Sequence, residues 1–275
     1  LEKKDRIKGL DYWKGLLEGY DTKSAIPSYG KVTTEDEAMS LYDIREEVIS
    51  RLRRICTEED VTLSNALELA WGLTLQTYSR QEDAVFLKVV SGRDNVSEDM
   101  SKVMGAFINS VPVRVHQVKD MTVRQMLHSM QKQSAESNEF DYCSLSEILK
   151  LTPLGNNLFQ SIITFQNFIE SNGVSADTNN PLGIKPAFIK EENVNEVAAT
   201  FLLSDDKLSI DLKYDKTLFS ARQMKGVLAL FSTILEDMAM NPEKAVNNLA
   251  RTSSREDAIS FCQGITLPYN AGETF

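Results

Sequence analysis

The sequence predicts an α/β fold in which helices flank a mixed β-sheet. Segments with apolar residues at helical spacing alternate along the chain with short β-branched runs. Further on, two alternating runs, 197–203 and 207–214, meet across Ser204-Asp205-Asp206, the pattern of a β-hairpin. The composition, 42% hydrophobic and 25% charged, is that of an ordinary globular protein, and 275 residues suffice to bury a core.

In residues 1–20, Leu10, Trp13, Leu16 and Leu17 share one side of a short helix. Residues 21–40, with Pro27 and Gly30, are expected to form an extended connector. Ile44, Val48, Leu52 and Ile55 recur at helical spacing and mark the first substantial helix. Turn-formers from Asp60 to Asn65 end it and supply N-cap candidates for a second helix, Asn65 to Tyr78, which carries Leu67, Ala70 and Trp71 inward. Ala84–Val90 suits a buried strand, and Gly105–Val115 a further one. A helix from Thr122 to about Ser134 turns Val123, Met126, Leu127 and Met130 to the core and leaves His128 exposed. A long strand is expected over Leu158–Phe168, then a polar surface excursion over 170–193. After the hairpin comes the clearest helix, Ala221–Met240, with a Ser220/Gln223 capping box and a stop at Asn241-Pro242. The reading is one folded lobe, residues 1–251, with a tail, residues 252–275, that loses apolar periodicity.

Charge and rare residues narrow the function classes. With 30 Lys+Arg against 40 Asp+Glu the net charge is −10, which argues against a nucleic-acid surface. The basic cluster Arg51, Arg53 and Arg54 reads as a solvated helix face. Three dispersed cysteines, Cys56, Cys143 and Cys262, fit a reducing cytoplasm better than a disulfide framework. With only His116 and His128 and no Cys-x-x-Cys, a structural zinc site is not expected. No apolar run of about 20 residues and no leader pattern indicate a membrane. The chain opens on Leu1, so it is expected to be a piece of a longer polypeptide.

The most informative stretch is residues 91–115. An apolar strand ends in Ser91-Gly92-Arg93, and the next apolar run, Gly105 to Val115, carries Asn109 and Arg114. This block resembles the signature of nonribosomal peptide synthetase condensation domains. Weaker likenesses follow in the same order: Tyr12-Trp13-Lys14, Asp83-Ala84-Val85-Phe86, Leu145 with Ile148, Leu158-Phe159 to Phe165-Gln166-Asn167, and Tyr214-Asp215 with Phe219. Leu87-Lys88 departs from the glycine usual in the family, and Ser144 from a proline.

The resemblance implies one lobe of the CoA-dependent acyltransferase (chloramphenicol acetyltransferase-like) fold, the C-terminal lobe of two. It implies amide-bond formation between thioesters carried on phosphopantetheine arms, delivered by peptidyl carrier proteins through a tunnel between the lobes. Implied partners are the N-terminal lobe of the same condensation domain and an adenylation domain in cis, toward which residues 252–275 would lead. The family's His-His-x-x-x-Asp-Gly motif is absent from these 275 residues. His116 and Asp120 share its His-x-x-x-Asp spacing, but Val115 and Met121 stand where the first His and the Gly belong. His116 is therefore expected to be a strand-end residue facing solvent.

The substrate-tunnel candidates are Trp13, Ser91, Gly92, Arg93, Asn109 and Arg114. Gly92 would permit a tight turn, and Arg93 offers a planar guanidinium either to the pantetheine arm or to Asp94 or Glu98. Asn109 either orients substrate or bonds neighbouring backbone, because a buried amide needs a partner. Arg114 is expected to form a structural salt bridge in preference to catalysis. Trp13 either lines the acceptor side or belongs to the core, and Trp71 is core. The fragment is expected to be inert alone. The alternatives are a degenerate docking platform for carrier proteins or a tailoring enzyme, and an acyltransferase acting on a small acceptor. Separation from a partner lobe should also expose an apolar face.

Overall fold

Six strands and six helices appear in the computed structural model, which describes residues 3–28, 39–91, 108–167, 195–203 and 207–251. In chain order they are α1 (Lys3–Leu16), β1 (Met39–Ile44), α2 (Glu46–Glu58), α3 (Leu63–Ser79), β2 (Asp83–Val90) and β3 (Asn109–His116). Then come α4 (Val123–Asn138), the single turn α5 (Leu145–Ile148), β4 (Ser161–Asn167), β5 (Val197–Leu203), β6 (Leu208–Tyr214) and α6 (Ala221–Met240). The described strands form one mixed sheet in the order β1-β6-β5-β4-β2-β3. Strand β4 runs parallel to both β2 and β5, and the remaining pairs are antiparallel.

Local sequence caps the N-termini of α3, α4 and α6. Thr122 caps α4 in a complete capping box, its hydroxyl accepting from the Gln125 N–H while the Gln125 side chain accepts from the Thr122 N–H. Thr62 caps α3 through the Asn65 N–H, and Arg80 closes that helix in the left-handed conformation. Ser220 caps α6, but Gln223 does not complete the expected box. Its amide reaches across to the carbonyl of Pro27, because a tertiary acceptor lies within its span.

Strand β1 falls partly in the stretch expected to be a connector, and Ile44 ends that strand instead of opening α2. The strand exists because β6, far downstream, offers its open edge over Met39↔Lys213 to Ile44↔Leu208. The strand expected from Leu158 starts at Ser161, since Leu158 is drawn into a 3-10 turn by its N–H bond to the Gly155 carbonyl. The expected excursion over 170–193, the hairpin turn at Ser204-Asp205-Asp206 and the tail at 252–275 lie outside the described residues.

One face of the sheet sends Phe86, Val113, Phe201 and Ile210 against α2, α3, α4 and α6, where they meet Leu52, Trp71, Leu127 and Phe231, all essentially inaccessible. Helix α3 rides very close to β3. A Cβ built on Gly72 would lie 2.3 Å from Cγ2 of Val115, so only glycine fits. A second core group gathers Trp13, Leu17 and Tyr20 with Val85, Phe140, Ile148 and Leu158 around the β2–β3 end of the sheet. By strand alternation Ile162, Thr164, Ala198, Thr200, Leu202 and Ser209 occupy the sheet face away from the main core; they are half-buried, and neither core group includes them.

Two glutamine side chains stand in for strands. Gln133 of α4 accepts from the N–H of Arg114 at 2.9 Å and donates to its carbonyl at 2.7 Å, occupying the outer edge of β3 at that residue. Gln160 pairs likewise with both backbone groups of Ile26, at 2.7 and 3.1 Å.

Candidate functional site

The β2–β3 ladder runs from Asp83↔His116 to Val90↔Asn109, so Ser91 and Asn109 emerge at the same end of the sheet. Ser91 is exposed and Asn109 half-buried. Gly92 and Arg93 lie outside the described residues.

Asn109 is fully engaged. Its Nδ2 donates to the carbonyls of Asp141 and Cys143, each at 2.7 Å, and its Oδ1 accepts from the Ser110 N–H at 2.9 Å. The amide therefore clamps the turn between α4 and α5. Trp13 grips the same turn from α1: it is wholly buried, and its indole N–H donates to the Phe140 carbonyl at 3.1 Å. A Cβ on Gly9 would stand 2.6 Å from the Cys143 sulfur, which is how closely α1 approaches this turn. Trp13 has no surface to offer a passage; its indole N–H needs a partner once buried, and the turn supplies it.

Arg114 lies on the opposite face of β3 from Asn109, because successive strand residues alternate. Asn109 and Arg114 therefore do not line one surface. Arg114 holds Asp83 with Nε 3.1 Å from both carboxylate oxygens and Nη2 2.6 Å from Oδ2. Its Nη1 donates to the carbonyls of Leu16 and Glu18, at 2.7 and 2.8 Å, which caps the C-terminal end of α1. Position 114 thus carries the expected salt bridge and a helix cap that spacing could not show. Sequence reasoning named Asp83 only within a family likeness and missed its pairing with Arg114; its one signal was a carboxylate at the foot of a predicted strand.

Among the described residues the remaining titratable groups offer no ready catalyst. His116 ends β3 facing solvent, its Nδ1 3.4 Å from Asp83, and exposed His128 meets Glu59 at 2.7 Å. Burial pushes the Cys56 thiol up to about 11 and raises that of Cys143, so neither forms a ready thiolate at neutral pH. Cys262 lies outside the described residues. Arg51 and Arg54 pair with Glu47 and Glu58 one helical turn away, as a solvated face does. Among the described residues no cluster of three or more His, Cys, Asp and Glu could hold a metal, and no helix is long and apolar enough to cross a membrane.

A polar group that sequence reasoning passed over lies beneath the sheet. Lys88 of β2 places Nζ 3.2 Å from Oε1 of Glu68 on α3 and 3.2 Å from Oγ of Ser134 on α4. Burial raises the Glu68 carboxyl above its ordinary value, and the charge and hydrogen bond of Lys88 oppose that shift.

A mixed sheet flanked by helices, its β2 and β3 ends presenting Ser91 and Asn109 together, has the CoA-acyltransferase-like fold of condensation domains. The family model for the condensation domain matches residues 1–259, and the chain belongs to that family. Bacitracin synthase 3 of Bacillus licheniformis is 28% identical over 268 residues, covering 93% of this chain and 4% of its own length. The chain thus spans a small part of the curated relatives it matches. Among solved structures it is similar to a four-domain nonribosomal peptide synthetase bound to AMP and glycine, at a TM-score of 0.74 and 19% identity, over 94% of this chain and 21% of that one. The X-domain from teicoplanin biosynthesis matches at 0.71 and 17%, over 89% of this chain and 57% of that one.

Proposed function

We propose that residues 1–251 are the C-terminal lobe of an amide-forming condensation domain and that residues 252–275 begin the linker to an adenylation domain. The observation that carries this reading is the asymmetry of coverage. The chain matches along 89% of its own length but only 57% of the X-domain chain, while the His-His-x-x-x-Asp-Gly motif is absent from its sequence. The half-buried sheet face bearing Thr164, Thr200 and Ser209 suits a second lobe as its cover.

In the proposed reaction, the acceptor amine attacks the donor thioester carbonyl. The C–N bond forms through a tetrahedral oxyanion, the C–S bond breaks, and the amine proton passes by way of a base to the departing thiolate. The N-terminal lobe would bring the base, and carrier proteins in the cytoplasm would bring both thioesters on phosphopantetheine, which enters as part of the substrate. This lobe would contribute one wall of the passage. Of the tunnel candidates, Ser91, Gly92 and Arg93 would line that wall. Asn109 acts there by holding the 141–143 turn, while Trp13 and Arg114 hold α1 in place.

Such a lobe is inert by itself. It lacks the His-His-x-x-x-Asp-Gly motif and with it that general base, worth roughly 10²–10⁴-fold, and most of the enforced proximity, worth about 7–11 kcal/mol. A second reading, a platform that docks carriers or a tailoring enzyme, is favoured by one observation: a teicoplanin X-domain similar to this chain was solved in complex with OxyB. Two loaded carriers mixed with the 275-residue chain, and separately with the intact synthetase, test both. Peptide formed only by the intact protein is the expected result. Turnover by the chain alone overturns inertness, and none from the intact protein favours docking.

A further inference from the structure

Lys88, Glu68 and Ser134 join three elements at one atom. Lys88 is three residues before Ser91 on β2, and its ammonium is shared between a carboxylate on α3 and a hydroxyl on α4. Lys88 is 7% exposed and Glu68 2%. Stability alone does not explain the group, because a buried ion pair is commonly no better than apolar residues of the same volume. What such a pair supplies is a unique register, since an ammonium reaches both acceptors in one axial position of the strand only.

The same polar seam continues on either side. Gln131, one helical turn before Ser134, accepts from Asn65 Nδ2 and from the Thr62 N–H at 3.1 Å, which ties α4 to the start of α3. Gln133 ties α4 to both backbone groups of Arg114 on β3. Helix α4 is thus registered against α3, β2 and β3 by polar contacts. The strands so held are the two that end at Val90↔Asn109, beside Ser91.

We infer that Lys88, with Glu68 and Ser134, is a positioning residue for the strand-end site: it sets the axial height of the paired β2–β3 end, Val90↔Asn109, against α3 and α4 and so where Ser91 stands relative to those helices. The inference rests on the amide-forming reading for its activity arm only. Being buried on the helix side of the sheet, Lys88 touches no substrate.

The test replaces the pair by apolar near-isosteres, Glu68→Leu with Lys88→Met, and compares it with Lys88→Met alone. In the intact synthetase the double variant is expected to keep its thermal midpoint. Its amide-forming kcat should fall about 10- to 100-fold, the scale of a misplacement near 1 Å, with KM for the loaded carriers unchanged. Lys88→Met alone should lose stability as well, because Glu68 is left buried and unpaired. A double variant with wild-type kcat overturns the inference. If the wild-type synthetase itself forms no amide, the functional reading has failed, and the inference is then decided on the 275-residue chain by NMR. Altered nuclear Overhauser distances from Asn109 to the 141–143 turn in a folded double variant support it, and unchanged ones overturn it.

Discussion

Trp13 and Asn109 hold opposite ends of one turn: the indole bonds the Phe140 carbonyl at 3.1 Å, and the amide bonds the carbonyls of Asp141 and Cys143 at 2.7 Å. Helix α1 and strand β3, remote in sequence, therefore share a brace beside the strand end. Replacing Asn109 by Asp sets a carboxylate against two carbonyl oxygens and removes both donors. The expected cost is about 1–3 kcal/mol, read by urea unfolding, with Asn109→Ala costing less than Asn109→Asp.

Trp13→Phe should separate the hydrogen bond from the packing. The ring volume is largely kept while the Phe140 carbonyl loses a partner, for an expected loss of about 1–2 kcal/mol. Trp13→Ala should cost about 3–5 kcal/mol, because the side chain is completely buried. Equal losses from the two variants would show that packing at this position contributes nothing.

Arg114 should resist conservative replacement. Its guanidinium serves Asp83 and the last carbonyls of α1 at once, and a lysine ammonium cannot span both. Arg114→Lys is expected to lose more than half of what Arg114→Ala loses. In both variants the amides of Lys14–Tyr20 should exchange faster than in the wild type. Unchanged exchange there would remove the capping role.

Gly72 and Val115 should couple. A methyl on Gly72 would fall 2.3 Å from Val115 Cγ2, so Gly72→Ala is expected to cost about 1–3 kcal/mol by overpacking, although alanine favours helix. Val115→Ala alone opens a cavity, yet in the double variant it should recover part of the Gly72→Ala loss. A double-mutant cycle that is strictly additive would contradict the contact.

Acid should loosen the segment after α6 before the core unfolds. Burial alone would raise the Asp237 carboxyl. The Lys244 ammonium at 2.7 Å, the Ala250 N–H at 2.7 Å and the Asn241 amide outweigh it and hold the group below its ordinary value. A carboxyl depressed in the folded state stabilises above its unfolded pKa, near 3.9, and that contribution is lost as pH falls through the lower folded value. Amide protection of residues 244–250 should therefore drop on acidification from about pH 5 toward pH 2. In Asp237→Asn it should be low throughout and nearly independent of pH. A wild-type protection that stays flat over this range would contradict the assignment.

Much of this molecule was legible in residue order because its decisive interactions are short-range. The 3.6-residue stripes of α2, α4 and α6 bury the residues that periodicity marks, and the alternation of β5 and β6 matches their antiparallel register. The block over residues 91–115 marked the family for the same reason, as a contiguous pattern. What residue order could not supply depends on partners separated by most of the chain. Strand β1 exists because β6 offers an edge, Gln133 and Gln160 serve as strand substitutes, and Gln223 leaves its cap for Pro27. The roles of Asn109, Arg114 and Lys88 belong with these. A polar side chain in an apolar run announces only that it needs a partner, and which partner it finds is set by how the layers pack.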